Sequence, residues 1–137
     1  MRSVEITDES VVVVDLEVLA MVVADRRRWR DWWPDCDVVV VVDRGVEGLG
    51  WSVSGALVGY SEISLEVLPA GVMLRYSLSA DPTVPGTTDR ARVVPDSPWG
   101  RRELDDLRRR HVLAWKRTVW SIQETITTTH LGPGRLA

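Results

Sequence analysis

Three tryptophans and a proline fall within one short run, Trp29-Arg30-Asp31-Trp32-Trp33-Pro34, and they constrain the fold more than any other feature of the chain. Each indole carries a large apolar surface and one N–H that needs an acceptor once buried. Three of them together read as a packed corner. The residue before a proline is pushed out of helical backbone, so the short helix that leads into the run ends at Asp31, ahead of Trp32, Trp33 and Pro34. Helix-like chain precedes the run and strand-like segments follow it. The corner therefore predicts a rigid turn from helix into sheet, around an apolar cavity.

A chain of 137 residues is one domain, 1–137, long enough to bury a core without disulfides or metal. Cys36 is the only cysteine, which excludes an internal disulfide and suits a reducing compartment. The opening MRSVEITDES has acidic residues and no apolar h-region, so no signal peptide is expected. Asp15, Asp25 and Asp43 interrupt the apolar stretches too soon for a membrane span. The expectation is a cytoplasmic protein. A net charge of −3 argues against a dedicated nucleic-acid binder, although 16 of the 17 basic residues are arginine.

Before residue 81 the apolar period is mostly two, as in half-buried strands. From Ser3 to Val14, Val4, Ile6, Val12 and Val14 share one parity, with Asp8 and Ser10 breaking the series at an expected bend or bulge. Asp15 then serves as a plausible N-cap for a helix over Leu16–Ala24, and Asp25 for a second over Arg26–Asp31. Four more strands follow. Cys36, Val38, Val40 and Val42 form the inward set of the first, and Trp51, Val53 and Gly55 that of the second. Gly55 and Gly59 are expected to bracket the next turn. Ile63, Leu65 and Val67 then alternate with polar residues, and so do Val72, Leu74, Tyr76 and Leu78 after the Pro69-Ala70-Gly71 hairpin signal. Antiparallel strands with one wet face fit this pattern.

Residues 81–100 carry four prolines and little periodicity, which predicts a long, mobile surface loop able to cover a cavity mouth. The period then becomes 3.6. From Arg101 to about Thr128, one stripe collects Leu104, Leu107, His111, Trp115, Val119, Ile122 and Ile126, while the opposite face is charged. Residues 129–137 read as a flexible tail. A long amphipathic helix needs an apolar sheet face to lie on, and the sheet needs a cover. One packing satisfies both.

Strand, two short helices, a tryptophan corner ending in proline, an antiparallel sheet and a long C-terminal helix is the order of the helix-grip fold. On Val14-Asp15-Leu16-Glu17-Val18, Val22-Val23-Ala24-Asp25, the corner tryptophans with Pro34, Gly48, Gly50, Leu65-Glu66-Val67 and Gly71, the chain resembles the START-like (SRPBCC) superfamily, especially its polyketide cyclase/dehydrase and lipid-transport branch. The resemblance spans roughly residues 3–128. It departs in one respect, since the family commonly has more strands after the corner than the four counted here. It implies an α+β fold in which a curved antiparallel sheet grips the last helix around an apolar pocket. Members bind lipids, polyketides or other hydrophobic molecules, and some catalyse cyclisation or dehydration. Fold does not fix function.

The residues expected at such a pocket are Trp33, Trp51, Val53, Ile63, Leu65, Leu74, Tyr76, Leu78, His111 and Trp115, all on inward parities. His111 is the candidate general acid or base, and the Tyr76 hydroxyl could orient a ligand oxygen. The competing reading makes both packed residues satisfied by local hydrogen bonds. Glu62 falls on the wet parity, and Cys36 reads as a small buried hydrophobe. The arginine runs at 26–30 and 108–110 could meet phosphate or an acidic headgroup, but such runs are usually solvated faces. His111 and His130 are too far apart to suggest a metal site, and no cofactor fingerprint is present. Three functions compete. A binding protein for a hydrophobic or amphipathic small molecule is favoured. The others are a cyclase or dehydratase, needing two converging polar groups, and an interaction module whose core is filled by side chains.

Overall fold

The computed structural model describes residues 3–130, with side chains through Ile126. Strand β1 (Val4–Val12) is followed by helix α1 (Leu16–Val23), a 3-10 turn at Arg26–Arg28 and the short helix α2 (Trp29–Trp32). Strands β2 (Cys36–Asp43), β3 (Gly48–Gly55), β4 (Leu57–Leu68) and β5 (Gly71–Pro82) come next, and helix α3 (Pro98–His130) closes the chain. All strand pairs are antiparallel, in the order β1-β5-β4-β3-β2. The architecture is α+β and has the helix-grip arrangement, a five-stranded open sheet with a long C-terminal helix and two short helices.

The inward parities pack as their alternation requires. Val4, Ile6 and Val12 of β1, Trp51 and Val53 of β3, Ile63 and Leu65 of β4, and Val72, Leu74, Tyr76 and Leu78 of β5 are all buried. The stripe of α3 meets them through His111, Trp115, Val119, Ile122 and Ile126, while Arg102, Asp105, Asp106, Arg109, Arg110 and Arg117 are exposed. Helix α3 packs on β1 and α2, and α1 lies against β3 and β4.

Several local expectations are corrected. Asp8 and Ser10 cause no bulge, because β1 stays in register with β5 from Val4 to Val12. The irregularity lies between Val40 and Val42, in the edge strand β2. Gly59 sits inside β4 rather than in a turn, and Ala56 alone separates β3 from β4. Glycine is needed at 59 because a side chain there would run into the Ser79 carbonyl and Ala80. Val67 shares the parity of Ile63 and Leu65 but is 64% exposed, since it lies near the strand's end. Asp15 has extended backbone before α1 but makes no side-chain cap, whereas the Asp25 carboxylate accepts from the Arg27 backbone N–H at 3.1 Å.

At the corner, Asp35 adopts a left-handed backbone (φ 65°), a conformation short polar residues tolerate. Its carbonyl accepts from Ala56 N at 3.0 Å and ties the corner to the β3–β4 turn. In the segment expected as a loop at 81–100, residues 81–82 complete β5 and 98–100 begin α3. Between them Thr83 bridges Ala91, Thr83 Oγ1 donates to Gly55 O at 2.7 Å, and Gly55 N donates to Thr88 O at 2.8 Å. Of the tail expected at 129–137, residues 131–137 lie outside the described residues. No helix among those described is long and apolar enough to cross a membrane.

Candidate functional site

The corner delivers its rings inward because α2 is a single turn. Trp29 and Trp32 are three residues apart on one face, and Trp33 follows as the chain leaves helical backbone. Trp32, Trp33, Trp51, Trp115 and Tyr76 are each at most 2% exposed. Their contacts are continuous. Trp33 lies 4.8 Å from Trp51 and 6.4 Å from Tyr76, Trp32 lies 5.9 Å from Trp115, and Tyr76 stacks on Trp115 at 4.0 Å with a 13° interplanar angle. Trp29 and Trp32 meet Trp51 edge-on at 5.3 and 6.4 Å. The space between sheet and α3 is therefore occupied by aromatic rings.

A few polar groups thread this apolar interior. The Trp33 indole N–H donates to Tyr76 Oη (3.1 Å) and to Ser61 Oγ (3.3 Å), and the Ser61 hydroxyl donates to Ser77 O at 2.8 Å. Burial pushes the Tyr76 phenol up to about 12, against the lowering effect of its contacts with Ser61 and Trp33. Tyr76 is thus a protonated group near neutrality and a poor base. Trp115 N–H donates to Asp8 Oδ2 at 3.0 Å, which explains an acid on the inward parity of β1.

Two groups differ. Trp51 is fully buried and its Nε1 has no hydrogen-bond partner, and the same holds for Nδ1 of His111, which is 3% exposed. Burial, then the neighbouring Arg110 charge, lowers the His111 pKa, with Asp35 acting the other way. The imidazole is therefore neutral near pH 7. Burial also raises the Cys36 thiol, so it is no activated nucleophile.

Of the ten residues expected at a pocket, the structure joins Trp33, Trp51, Tyr76 and Trp115 into one ring cluster. Val53, Ile63, Leu65, Leu74 and Leu78 lie buried in the same core. His111 lies one turn before Trp115 on α3. No hydrogen bond links His111 to Tyr76 among the described residues, so the two polar groups an enzyme would need are not joined. Glu62 is on the outer face, ion-paired with Arg44. Trp32, Asp8 and Ser61 belong to the same interior but are not among the ten residues expected from the sequence. Ser61 shares the parity of Ile63 and Leu65 and was legible on that ground. Asp8 looked like an interruption of the pattern.

Open grooves lie elsewhere among the described residues, and none of these ten residues lines those at α2–α3, at the β4–β5 turn or along α3. One of about 400 Å³ runs between α2 and α3, and one of about 530 Å³ lies where the β1–α1 connection meets the β4–β5 turn. Among the described residues no three histidine, cysteine or acidic side chains are grouped to hold a metal.

No protein-family model matches the sequence, and neither does any curated protein. Solved structures match along nearly the whole chain. The Polyketide_cyc-like protein Cgl2372 from Corynebacterium glutamicum is 17% identical, with 94% of each chain covered and a TM-score of 0.53. Protein NE0264 from Nitrosomonas europaea is 11% identical over 94% of this chain and 97% of its own, with a TM-score of 0.60. DynU16, a protein of the dynemicin biosynthetic locus, is 15% identical over 95% of this chain but 48% of its own, with a TM-score of 0.57. Element order, sheet topology and these likenesses agree: the chain has a START/polyketide cyclase-like fold.

Proposed function

We propose that the protein binds a small hydrophobic or amphipathic molecule, lipid- or polyketide-like, between the sheet and α3. The observation that carries this reading is the pair of buried, unpartnered polar atoms, Trp51 Nε1 and His111 Nδ1, in an otherwise apolar interior. Buried polar groups are nearly always hydrogen-bonded, and leaving one unpaired costs about 1–3 kcal/mol. A ligand with one or two oxygens would satisfy them, and its apolar body would take the place of ring contacts. Each ring pair given up is worth about 0.5–1.5 kcal/mol, whereas burying ~200 Å² of apolar ligand contributes about 5 kcal/mol. The exchange is favourable only for a ligand that is itself large and flat enough to replace rings. The expected affinity is accordingly modest. With Tyr76 protonated and already bonded, binding without chemistry fits this interior better than a cyclase or dehydratase does.

The continuous ring contacts favour one other reading, an interaction module with a filled core. Tryptophan fluorescence separates the two. Titration with fatty acids, aromatic polyketides and quinones is expected to quench or shift emission saturably, and less so in a His111→Leu, Tyr76→Leu double variant. Emission indifferent to every member of the panel leaves the filled-core module standing.

A further inference from the structure

The arginine run at the corner has a second consequence, on the outer side of Trp32. Arg28, Arg30 and Arg117 line the groove of about 400 Å³ between α2 and α3, and Asp31 is the one acid among its lining residues. Its accessible apolar surface comes from the half-buried Pro34 and Ala114, with the buried Trp32 and Ile122 behind them. This volume exceeds the ~300 Å³ at which small-molecule pockets begin. Arg28 shares the Asp25 carboxylate with Arg27, and the other two have no ion pair among the described residues. Asp25 is held by Arg27, whose Nε and Nη2 each donate at 3.1 Å and whose backbone N–H donates at 3.1 Å. Arg28 Nε lies 3.6 Å from the same carboxylate, an ion pair too long for a hydrogen bond, and is buried without a hydrogen-bond partner. Arg30 and Arg117 are exposed and form no ion pair among the described residues.

We infer that this groove is an anion site for a small amphipathic molecule, one with a carboxylate or phosphate head on a compact apolar body. The guanidinium's planar fork matches either oxyanion, and the apolar wall selects against the bare inorganic ion. A concave groove between helices suits a single soluble molecule rather than the flat surface of a bilayer. The site is separate from the interior reading, because none of its lining residues belongs to the Trp51, Tyr76 and His111 set.

Calorimetric titration with decanoate, decyl phosphate, decanol, inorganic phosphate and vesicles of anionic phospholipid tests the inference. Decanoate or decyl phosphate should bind saturably, and which of the two binds tighter identifies the head. Decanol and inorganic phosphate should bind at least tenfold more weakly. An Arg30→Glu, Arg117→Glu variant should lose roughly tenfold or more in affinity for the bound anion, as expected when charged hydrogen bonds are removed. Both positions are exposed, and an unchanged circular dichroism spectrum and Tm verify that the fold is kept. Arg30→Gln, Arg117→Gln provides a milder pair should the charge reversal disturb folding. Equal binding of decanol and decanoate, affinity indifferent to both variant pairs, or binding confined to vesicles would overturn the site. Neutral ligands of the interior should bind these variants as they bind the unaltered protein, so failure of one reading is distinguishable from failure of the other.

Discussion

Trp32 stands between two regions that differ in what they lack. On its inner side it meets Trp33, Trp51 and Trp115, where apolar packing is complete and two polar atoms have no partner. On its outer side it walls a groove in which positive charge has too little acid to balance it. The inner region is short of hydrogen-bond partners within a filled space, and the outer one is short of counter-charge beside an open space. On the two proposals made above, the first would take a ligand that replaces rings and the second a ligand that brings an anion.

The largest expected effect comes from removing the wall itself. Trp32→Ala should lower stability by about 3–5 kcal/mol, as for other buried large aromatics, and should join the groove to the interior. Trp115→Ala should cost a similar amount while leaving the groove intact. Denaturant unfolding measures both, and a midpoint unchanged by Trp115→Ala would contradict the packing of α3 on the sheet. Asp8→Ala comes next, at about 1–3 kcal/mol, because it strips the buried Trp115 N–H of its acceptor.

Tyr76 gives a pH-dependent test of the same interior. An unfolded tyrosine ionises near 10, and the folded one only at about 12. Between these values the unfolded chain releases a proton that the fold retains, so stability falls as pH rises above about 10. The slope is at most about 1.4 kcal/mol per pH unit, and Tyr76→Phe should remove it at a cost of about 0.5–1.5 kcal/mol near neutrality. His111 works at the acid end. Its pKa is lowered in the fold, so the unfolded chain binds the proton first and stability falls as pH drops below about 6.5. His111→Leu should flatten that acid limb, and a limb unaltered by the change would show that another group causes it. The smallest effect belongs to Trp120, which is 68% exposed on the far side of α3. Trp120→Ala should change stability by no more than about 0.5 kcal/mol, which makes it the control for the interior tryptophans.

Much of this organisation was legible in the sequence because burial follows period. The alternation in residues 72–78 and the 3.6-residue stripe from Leu104 to Ile126 reappear as the faces that meet. What escaped was whatever depends on a partner distant in the chain. Asp8 reads as a flaw in a strand until Trp115, 107 residues away, is seen to need an acceptor. Gly59 reads as a turn until β5 is seen to press against it. Trp32 was noticed as part of the corner but not as a wall, because a single turn of helix has no readable apolar face. Nine of the ten residues expected at a pocket lie in one buried core, yet no periodicity tells whether rings fill a space or line it.

The central claim, that the interior holds polar groups awaiting a ligand, is tested most directly at the indole N–H of Trp51. In a 15N–1H spectrum the seven indoles give separate resonances, and the Trp120 signal serves as an exposed internal reference. Titration with the ligand that quenches fluorescence should move the Trp51 indole proton downfield saturably, as a hydrogen bond forms, and leave Trp120 in place. A Trp51 resonance that stays fixed while Trp120 or Trp32 shifts would contradict the account.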